Sequence, residues 1–235
     1  MLSNRSDLEH YCSWLTFLLI GFLLSSCTPT TGTRISLTQP NLAKIKKIGI
    51  LVKKEESFSV RLSREEGTNV GAAVLGLVGA GIEAGVRSSA DTRLEEELKP
   101  ILGDYDPQKL MEEKLYQYIQ ATKVFNPVAG INVEDRNLQR ETGLDGILEV
   151  TLKEWGLRLC LGPRPGEQVQ VGFSVHGKMY VVEQGSTVWE RNELYLDGKC
   201  HPLGDFRSRG SLLKDAISRS IDTLSGRIVN YIVFP

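Results

Sequence analysis

The chemically reactive side chains of this chain are few and widely spaced. The only histidines are His10, His176 and His201. The sequence contains no Gly-x-Ser-x-Gly nucleophile turn, no Gly-x-x-x-x-Gly-Lys-(Ser/Thr) phosphate loop and no His-Glu-x-x-His zinc pair. His176 falls on the polar side of a predicted strand, where an exposed structural histidine is the ordinary reading. We therefore expect a protein that is not an enzyme and that holds no cofactor.

Cys27 follows an apolar segment of signal-peptide length. Residues 14–24 form a run of 11 mostly apolar residues, which suits a signal-peptide core of ~7–15 residues and is shorter than the ~20 that span a bilayer. Arg5 is the only Lys or Arg before this run, and it is outnumbered by Asp7 and Glu9. The positively charged N-terminal region that is typical of signal peptides is therefore absent. An uncleaved anchor or a buried helix are the alternatives to a signal peptide.

The end of the apolar run carries a recognisable motif. Leu24-Ser25-Ser26-Cys27 resembles the lipobox of bacterial lipoproteins, in which the cysteine takes the lipid. The resemblance implies that residues 1–26 are a signal peptide and that the mature chain is held to a membrane through lipidated Cys27. By resemblance to enteric lipoproteins, Thr28 in place of aspartate implies the outer membrane, with the domain on its periplasmic face.

Two cysteines remain, and their number suggests a disulfide. Cys12 lies in the predicted signal peptide, which leaves Cys160 and Cys200. An even pair in an exported domain is typical of a disulfide, and this one would add about 4 kcal/mol in the chain-entropy model. Two free buried thiols, or a zinc site that includes His201, are the alternatives. Zinc prefers four ligands and no paired spacing is present, so we predict no metal site.

The charge balance argues against nonspecific electrostatic binding to nucleic acid. The chain has 28 basic and 29 acidic residues, with 41% apolar and 24% charged residues. Residues 1–26 hold one basic and two acidic residues, so the mature chain has 27 of each. Binding along a nucleic-acid backbone needs a basic excess or stripe. We expect no nucleic-acid partner.

The mature chain divides into a tether and one domain. Residues 27–43 lack apolar periodicity and contain prolines and glycine, so we predict a tether that reaches at most about 60 Å. Residues 44–235 are predicted to form a single α/β domain.

A glycine-rich segment at residues 67–88 interrupts this domain. Read as a helix, it has a ridge of small residues that would let another backbone approach closely. A helix or loop packed on the sheet is the favoured interpretation, with a membrane or oligomer contact and a mobile loop as alternatives. The ridge and its neighbours are Ala72, Gly76, Ala80, Gly81, Ala84 and Gly85.

Hydrophobic periodicity predicts the rest of the fold. Residues 44–53 predict a buried strand, residues 91–102 and 107–121 predict helices, and residues 123–128 and 135–142 predict a short strand and a short helix. From Gly146 onward, apolar residues occupy every second position, which predicts a three-stranded antiparallel meander. This alternation changes phase beside Gly156, which predicts a β-bulge there. The meander places Cys160 and Cys200 at the same end of the sheet. Residues 212–232 predict a closing amphipathic helix capped by Ser211.

The predicted fold class is therefore α/β (α+β): a mixed sheet with the meander, the glycine-rich insertion and a C-terminal packing helix. This order of elements, with the segment Asp145-Gly146-Ile147-Leu148-Glu149-Val150 leading the central strands, resembles the N-terminal domain of TolB and the curli secretion lipoprotein CsgG. The resemblance implies an envelope assembly or secretion accessory, with an envelope protein partner or self-association. The alternative is an oligomeric export or pore component that uses residues 70–86.

Overall fold

The computed structural model describes residues 34–62, 89–129, 143–160 and 168–234. The helices are α1 (Gln39–Lys44), α2 (Ser89–Leu102), α3 (Pro107–Thr122), α4 (Leu203–Ser208) and α5 (Gly210–Val233). The strands are β1 (Lys47–Lys54), β2 (Phe58–Arg61), β3 (Asn126–Val128), β4 (Gly146–Leu159), β5 (Gln168–Val181), β6 (Thr187–Leu196) and β7 (His201–Pro202).

All seven strands belong to one mixed sheet in which β4 is central. The main order is β3-β1-β4-β5-β6. The strands β1 and β2 pair in parallel with successive halves of β4, from Ile48↔Gly146 to Arg61↔Arg158. The antiparallel meander β4-β5-β6 forms the other half of the sheet, and β7 continues the β6 side by pairing with the start of β5.

One face of the sheet carries the main hydrophobic core. Side chains two residues apart on a strand share a face, so Ile48, Ile50 and Val52 of β1 lie on the same side as Leu148 and Val150 of β4, and all five are buried in the main cluster. Every helical core residue belongs to this cluster too. The smaller cluster on the opposite face, formed by Leu51, Leu144, Ile147, Tyr180 and Val182, contains no helical residue.

The long helices α3 and α5 pack side by side over this core. Helix α3 begins where the carboxylate of Asp106 accepts hydrogen bonds from the N–H groups of Gln108 and Lys109, which satisfies two free helix donors. Gly226 of α5 lies under the ring of Tyr118, so the two helices approach closely there. The predicted apolar stripe of α5 is entirely buried: Leu213, Ile217, Ile221, Leu224 and Ile228.

The predicted fold class is confirmed: the chain forms a mixed α/β sheet with an antiparallel meander and a C-terminal helix. The bulge is present, but it lies between Leu152 and Glu154 instead of beside Gly156. Gly156 itself has φ +144° and supports a close contact with β2.

Three local predictions differ from the structure. In the sequence, residues 55–67 are charged and poorly patterned, which predicts no strand. The structure has β2 within them, where Phe58 and Val60 are buried on the helix side while Ser59 and Arg61 face the other way. Within the predicted tether, Leu37 is buried and α1 follows it. The helix α5 begins at Gly210, so Ser211 already lies in its first turn, and no side chain caps it.

Candidate functional site

The functional candidates in the described residues lie on the sheet face opposite the helices and at its outer edge. Because side chains alternate along each strand, this second face receives polar residues from β2, β4, β5 and β6. Ser59, Thr151, Gln170 and Ser174 are buried there although they are polar. We call this surface the open face, because the core residues of the described helices all lie on the other side.

Two arginines on neighbouring strands of the open face share one carboxylate. Arg61 and Arg158 are direct partners in the β2–β4 register, and like charges placed opposite each other destabilise a sheet. Glu154 lies between them: its two oxygens accept from Arg61 at 2.7 Å and from Arg158 at 3.0 Å. Arg158 also donates to the hydroxyl of Ser59 at 3.3 Å. The cluster is therefore a bridged ion-pair network that joins β2 to β4.

The electrostatics of this network follow from its burial. Burial lowers the pKa of Arg158 most strongly, and the nearby Arg61 guanidinium lowers it further, while Glu154 opposes both effects. Glu154 has only 13% of its side chain exposed. Loss of this carboxylate would leave two cations facing each other with little water between them.

The histidines of the described residues have structural contacts. His176 on β5 lies 2.9 Å from the carboxylate of Glu190 on β6, with about a quarter of each side chain exposed. This differs from the freely exposed side chain expected from the sequence. The ring of His201 contacts the ring of Phe206. Within residues 34–62, 89–129, 143–160 and 168–234, no group of three metal-ligating side chains comes together.

One glycine-lysine spacing resembles part of a phosphate loop but lies inside a strand. Gly172 and Gly177, followed by Lys178, belong to the middle of β5, where the backbone N–H groups belong to the sheet ladder. A Cβ at Gly172 would meet the side chains of Arg158 and Leu196. This glycine therefore allows those side chains to lie across the strand.

The predicted disulfide is present at one end of the sheet. Cys160 follows the end of β4 and Cys200 precedes β7, and the two are bonded with their Cα atoms 6.1 Å apart. The backbone N–H of Cys160 donates to the carbonyl of Gln168, so the Cys160 side of the bridge is held by β5. This result excludes the free-thiol and zinc alternatives for this pair.

The outer strand β6 has a free edge, meaning one that no described strand covers beyond Glu190. Ile35 and Glu190 exchange two backbone hydrogen bonds of 3.0 Å in an antiparallel bridge. Backbone groups two residues apart on a strand point the same way, so the N–H and C=O groups of Asn192, Leu194 and Leu196 also point outward. Among the described residues, strand pairing on this edge stops at Glu190.

Exposed apolar side chains accompany this free backbone. Leu194 is 44% exposed and Leu196 is 38% exposed. They stand two residues apart on the open face, whereas Tyr195 between them is buried in the core. Of the described large apolar side chains, the other exposed one is Phe234, at 76%, and it lies beyond the end of α5. The edge thus combines unused hydrogen-bonding groups with an apolar strip.

The helix side of the same edge carries exposed positive charge. Glu193 accepts ion pairs from Arg191 and Arg227, and Asp197 lies 3.8 Å from Arg219. Both carboxylates are largely buried, at 14% and 11% exposure. Arg219 and Arg227 keep 44% and 49% of their side chains exposed. The charge that reaches solvent here is therefore mainly cationic.

Several predicted site residues lie outside the described residues. They are the lipidation site Cys27 and the contact residues Ala72, Gly76, Ala80, Gly81, Ala84 and Gly85. The predictions for them remain predictions. In the described part of the chain, no helix is both long enough and apolar enough to span a bilayer.

Comparison with known proteins places bacterial envelope proteins among the structural neighbours. No protein-family model matches the chain, and no curated protein sequence matches it. A PelC dodecamer from Paraburkholderia phytofirmans is 11% identical, with 86% of this chain and 98% of that chain covered and a TM-score of 0.41. A minor lipoprotein from Acinetobacter baumannii is 15% identical, covering 55% of this chain and 84% of that chain with a TM-score of 0.37.

The resemblance to TolB is also weak at the level of structure. TolB from Acinetobacter baumannii is 15% identical, covering 81% of this chain and 31% of that chain with a TM-score of 0.26. Because these scores are low, the structural neighbours indicate no function for this chain.

Proposed function

We propose that this protein is a lipid-anchored accessory of the bacterial cell envelope. Its domain is held at the periplasmic face of the outer membrane through Cys27 and binds other envelope components without catalysing a reaction. The Cys160–Cys200 disulfide carries this proposal. Disulfides persist in oxidising compartments outside the cytosol, so the bridge supports the export that the Leu24-Ser25-Ser26-Cys27 motif predicts.

The surface of the domain supports binding rather than catalysis. Two pairs of ionisable groups on the open face bond to each other, Glu154 with Arg158 and His176 with Glu190. Within the described residues, the outward backbone groups of β6 beyond Glu190 have no strand partner, and Leu194 and Leu196 are exposed. These are the features through which sheet proteins add a partner strand.

The anchor is tested by metabolic labelling with palmitate in an envelope fraction. We expect the wild-type protein and Cys12→Ser to be labelled and membrane-bound, and Cys27→Ser to lose both properties. Cys12→Ser is the matched control, because Cys12 belongs to the predicted signal peptide. Label on Cys27→Ser, or equal membrane retention of that variant, would refute the anchor.

The sorting and the accessory role have separate tests. Separation of inner and outer membranes should find the wild-type protein in the outer membrane, and Thr28→Asp should move it to the inner membrane. Crosslinking in envelope fractions should recover a partner polypeptide together with the wild-type chain. Recovery of the chain alone, as a monomer, would count against the accessory role.

A further inference from the structure

We propose that the free edge of β6 from Asn192 to Leu196 binds an extended segment of a partner polypeptide that alternates apolar and acidic residues. The segment would add to the sheet as an antiparallel strand. This proposal specifies the kind of partner that the accessory function requires. It rests on the proposed function for one point, that the partner is in the cell envelope. It commits to a protein segment and not to a lipid or a small molecule.

The backbone of β6 sets the mode of binding. Glu190 already exchanges two hydrogen bonds with Ile35 on this edge, so the edge accepts an antiparallel neighbour. The next outward groups belong to Asn192, Leu194 and Leu196, which offer three N–H donors and three C=O acceptors in the same direction. An extended segment that starts opposite Leu196 and ends next to Ile35 would satisfy all of them.

The open face selects apolar side chains at every second position of the partner. Leu194 and Leu196 lie on this face with 44% and 38% exposure. Their partners in register are uncharged, Gly172 for Leu196 and Ser174 for Leu194. The Arg158 side chain also lies over Gly172, but its guanidinium is paired with Glu154. A partner side chain placed over the two leucines would gain by covering apolar surface, whereas a charged one would lose hydration.

The helix side selects acidic side chains at the alternate positions. Arg219 and Arg227 of α5 are about half exposed, while the carboxylates they approach are mostly buried. Lys199, just beyond the end of β6, is exposed as well. Because successive side chains of a strand point to opposite faces, the same segment presents apolar groups to the leucines and carboxylates to these cations.

Charge also argues against two other occupants. Residues 28–33 of this chain read Thr-Pro-Thr-Thr-Gly-Thr and contain neither an acidic nor a large apolar residue. A second copy of β6 would bring Arg191 toward an edge that is already cationic. The acidic, apolar-alternating segment fits both faces of the edge better than either.

Binding of synthetic peptides to the complete chain in detergent tests the proposal. The probe is a capped peptide of alternating valine and glutamate, and its matched control alternates valine and lysine. We expect the glutamate peptide to bind at least about tenfold more tightly at low salt, with the difference shrinking as salt screens the charges. Amide hydrogen exchange at Leu194 and Leu196 should slow when the peptide binds, as strand addition requires.

Variants of the edge complete the test. Leu194→Thr with Leu196→Thr should weaken peptide binding at least about fivefold, because threonine keeps the strand and removes apolar contact. Phe234→Thr, at a more exposed apolar site off the strand, should leave binding unchanged. Arg219→Gln should reduce the preference for glutamate, while Arg207→Gln on α4 should not. Cys27→Ser should bind the peptide normally, so failure of the anchor and failure of this site are distinguishable.

Four results would overturn the proposal. Two concern the peptides: equal binding of the glutamate and lysine peptides, or binding that is insensitive to the leucine substitutions.

The other two results would assign the edge to another occupant. A doubled molar mass that the leucine substitutions abolish would assign it to a second copy of the chain. Peptide binding that appears only after residues 28–33 are replaced by glycine and serine would assign it to those residues.

Discussion

Gly156 of β4 lies so close to Ser59 of β2 that a Cβ on the glycine would overlap the carbonyl oxygen of the serine. The two residues are direct partners in the parallel pairing, and Gly156 has φ +144°, a conformation that other residues adopt only with strain. Because glycine has no Cβ, β2 can approach β4 closely enough here to pair with it.

Substitution of this glycine should separate the two strands. Gly156→Ala is expected to lower the free energy of unfolding by about 3 kcal/mol or more, since backbone strain and steric overlap add together. The measurement is denaturant unfolding followed by circular dichroism. Gly198→Ala is the control, because a Cβ there meets nothing within 4 Å, and it should change stability by less than about 0.5 kcal/mol. Equal effects of the two substitutions would contradict the close contact.

The disulfide gives a second prediction about stability. The bonded cysteines are 40 residues apart in sequence, so reduction should cost about 4 kcal/mol through the entropy of the freed loop in the unfolded chain. Cys160→Ser and Cys200→Ser should each cost the same amount, and the double variant should cost no more. Alkylation of the native protein without reductant should label neither cysteine, and labelling of both would show that the bond is absent.

Much of the fold can be predicted from the sequence, because the spacing of apolar residues and the length of each segment distinguish helices from strands. The strand β5 and the helices α3 and α5 bury alternating or helical sets of apolar residues that are visible in the sequence. The placement of Cys160 and Cys200 at one end follows from counting strand reversals. Strand β2 was missed because only Phe58 and Val60 are apolar in four residues, and its pairing partner lies about a hundred positions away.

The candidate edge was harder to predict than the fold. Apolar residues at positions 194 and 196 of a strand would ordinarily indicate the buried face, yet Tyr195 is the buried residue and the leucines are outside. The register of β6 against β5 shifts between Met179 and Tyr180, and a shift of one residue exchanges the two faces of a strand. Local alternation carries no information about such a shift.

The bridge between Arg61, Glu154 and Arg158 gives a third prediction. Glu154→Gln should lower the free energy of unfolding by about 3 kcal/mol, because it leaves a largely buried guanidinium without its counter-charge. The added substitution Arg61→Gln should recover part of this loss, since it removes the repulsion that the pKa of Arg158 reports.

A surface ion pair supplies the comparison for this network. Arg207 and Glu97 are bonded at 2.8 Å, but both are more than 40% exposed. Arg207→Gln should therefore change stability by less than about 0.5 kcal/mol. The network would be ruled out as a link between β2 and β4 if Glu154→Gln were equally mild in the same unfolding experiment.

The contacts that α3 and the loop before it make with α5 predict a loss of stability in alkaline solution. Burial raises the pKa of Tyr105, although its hydroxyl is bonded to Ser218. Burial and the Asp222 carboxylate raise the pKa of Tyr118. The hydrogen bond to Asp222 raises the pKa of Lys114 as well. In each case the folded protein holds the proton more tightly than the unfolded chain does.

The sign of the pH effect follows from this common direction. The stabilisation is fully present below the ordinary pKa of tyrosine, 10.0, and it is lost as the pH rises through the higher values of the folded state. Urea midpoints measured from pH about 8 to about 11 should therefore fall more steeply for the wild-type protein than for Tyr105→Phe, which has no proton to lose at that site. Tyr118→Phe should flatten the curve independently, and its Asp222 partner would still hold Lys114. Parallel curves for the wild-type protein and both variants would show that these tyrosines titrate alike in the folded and unfolded chain.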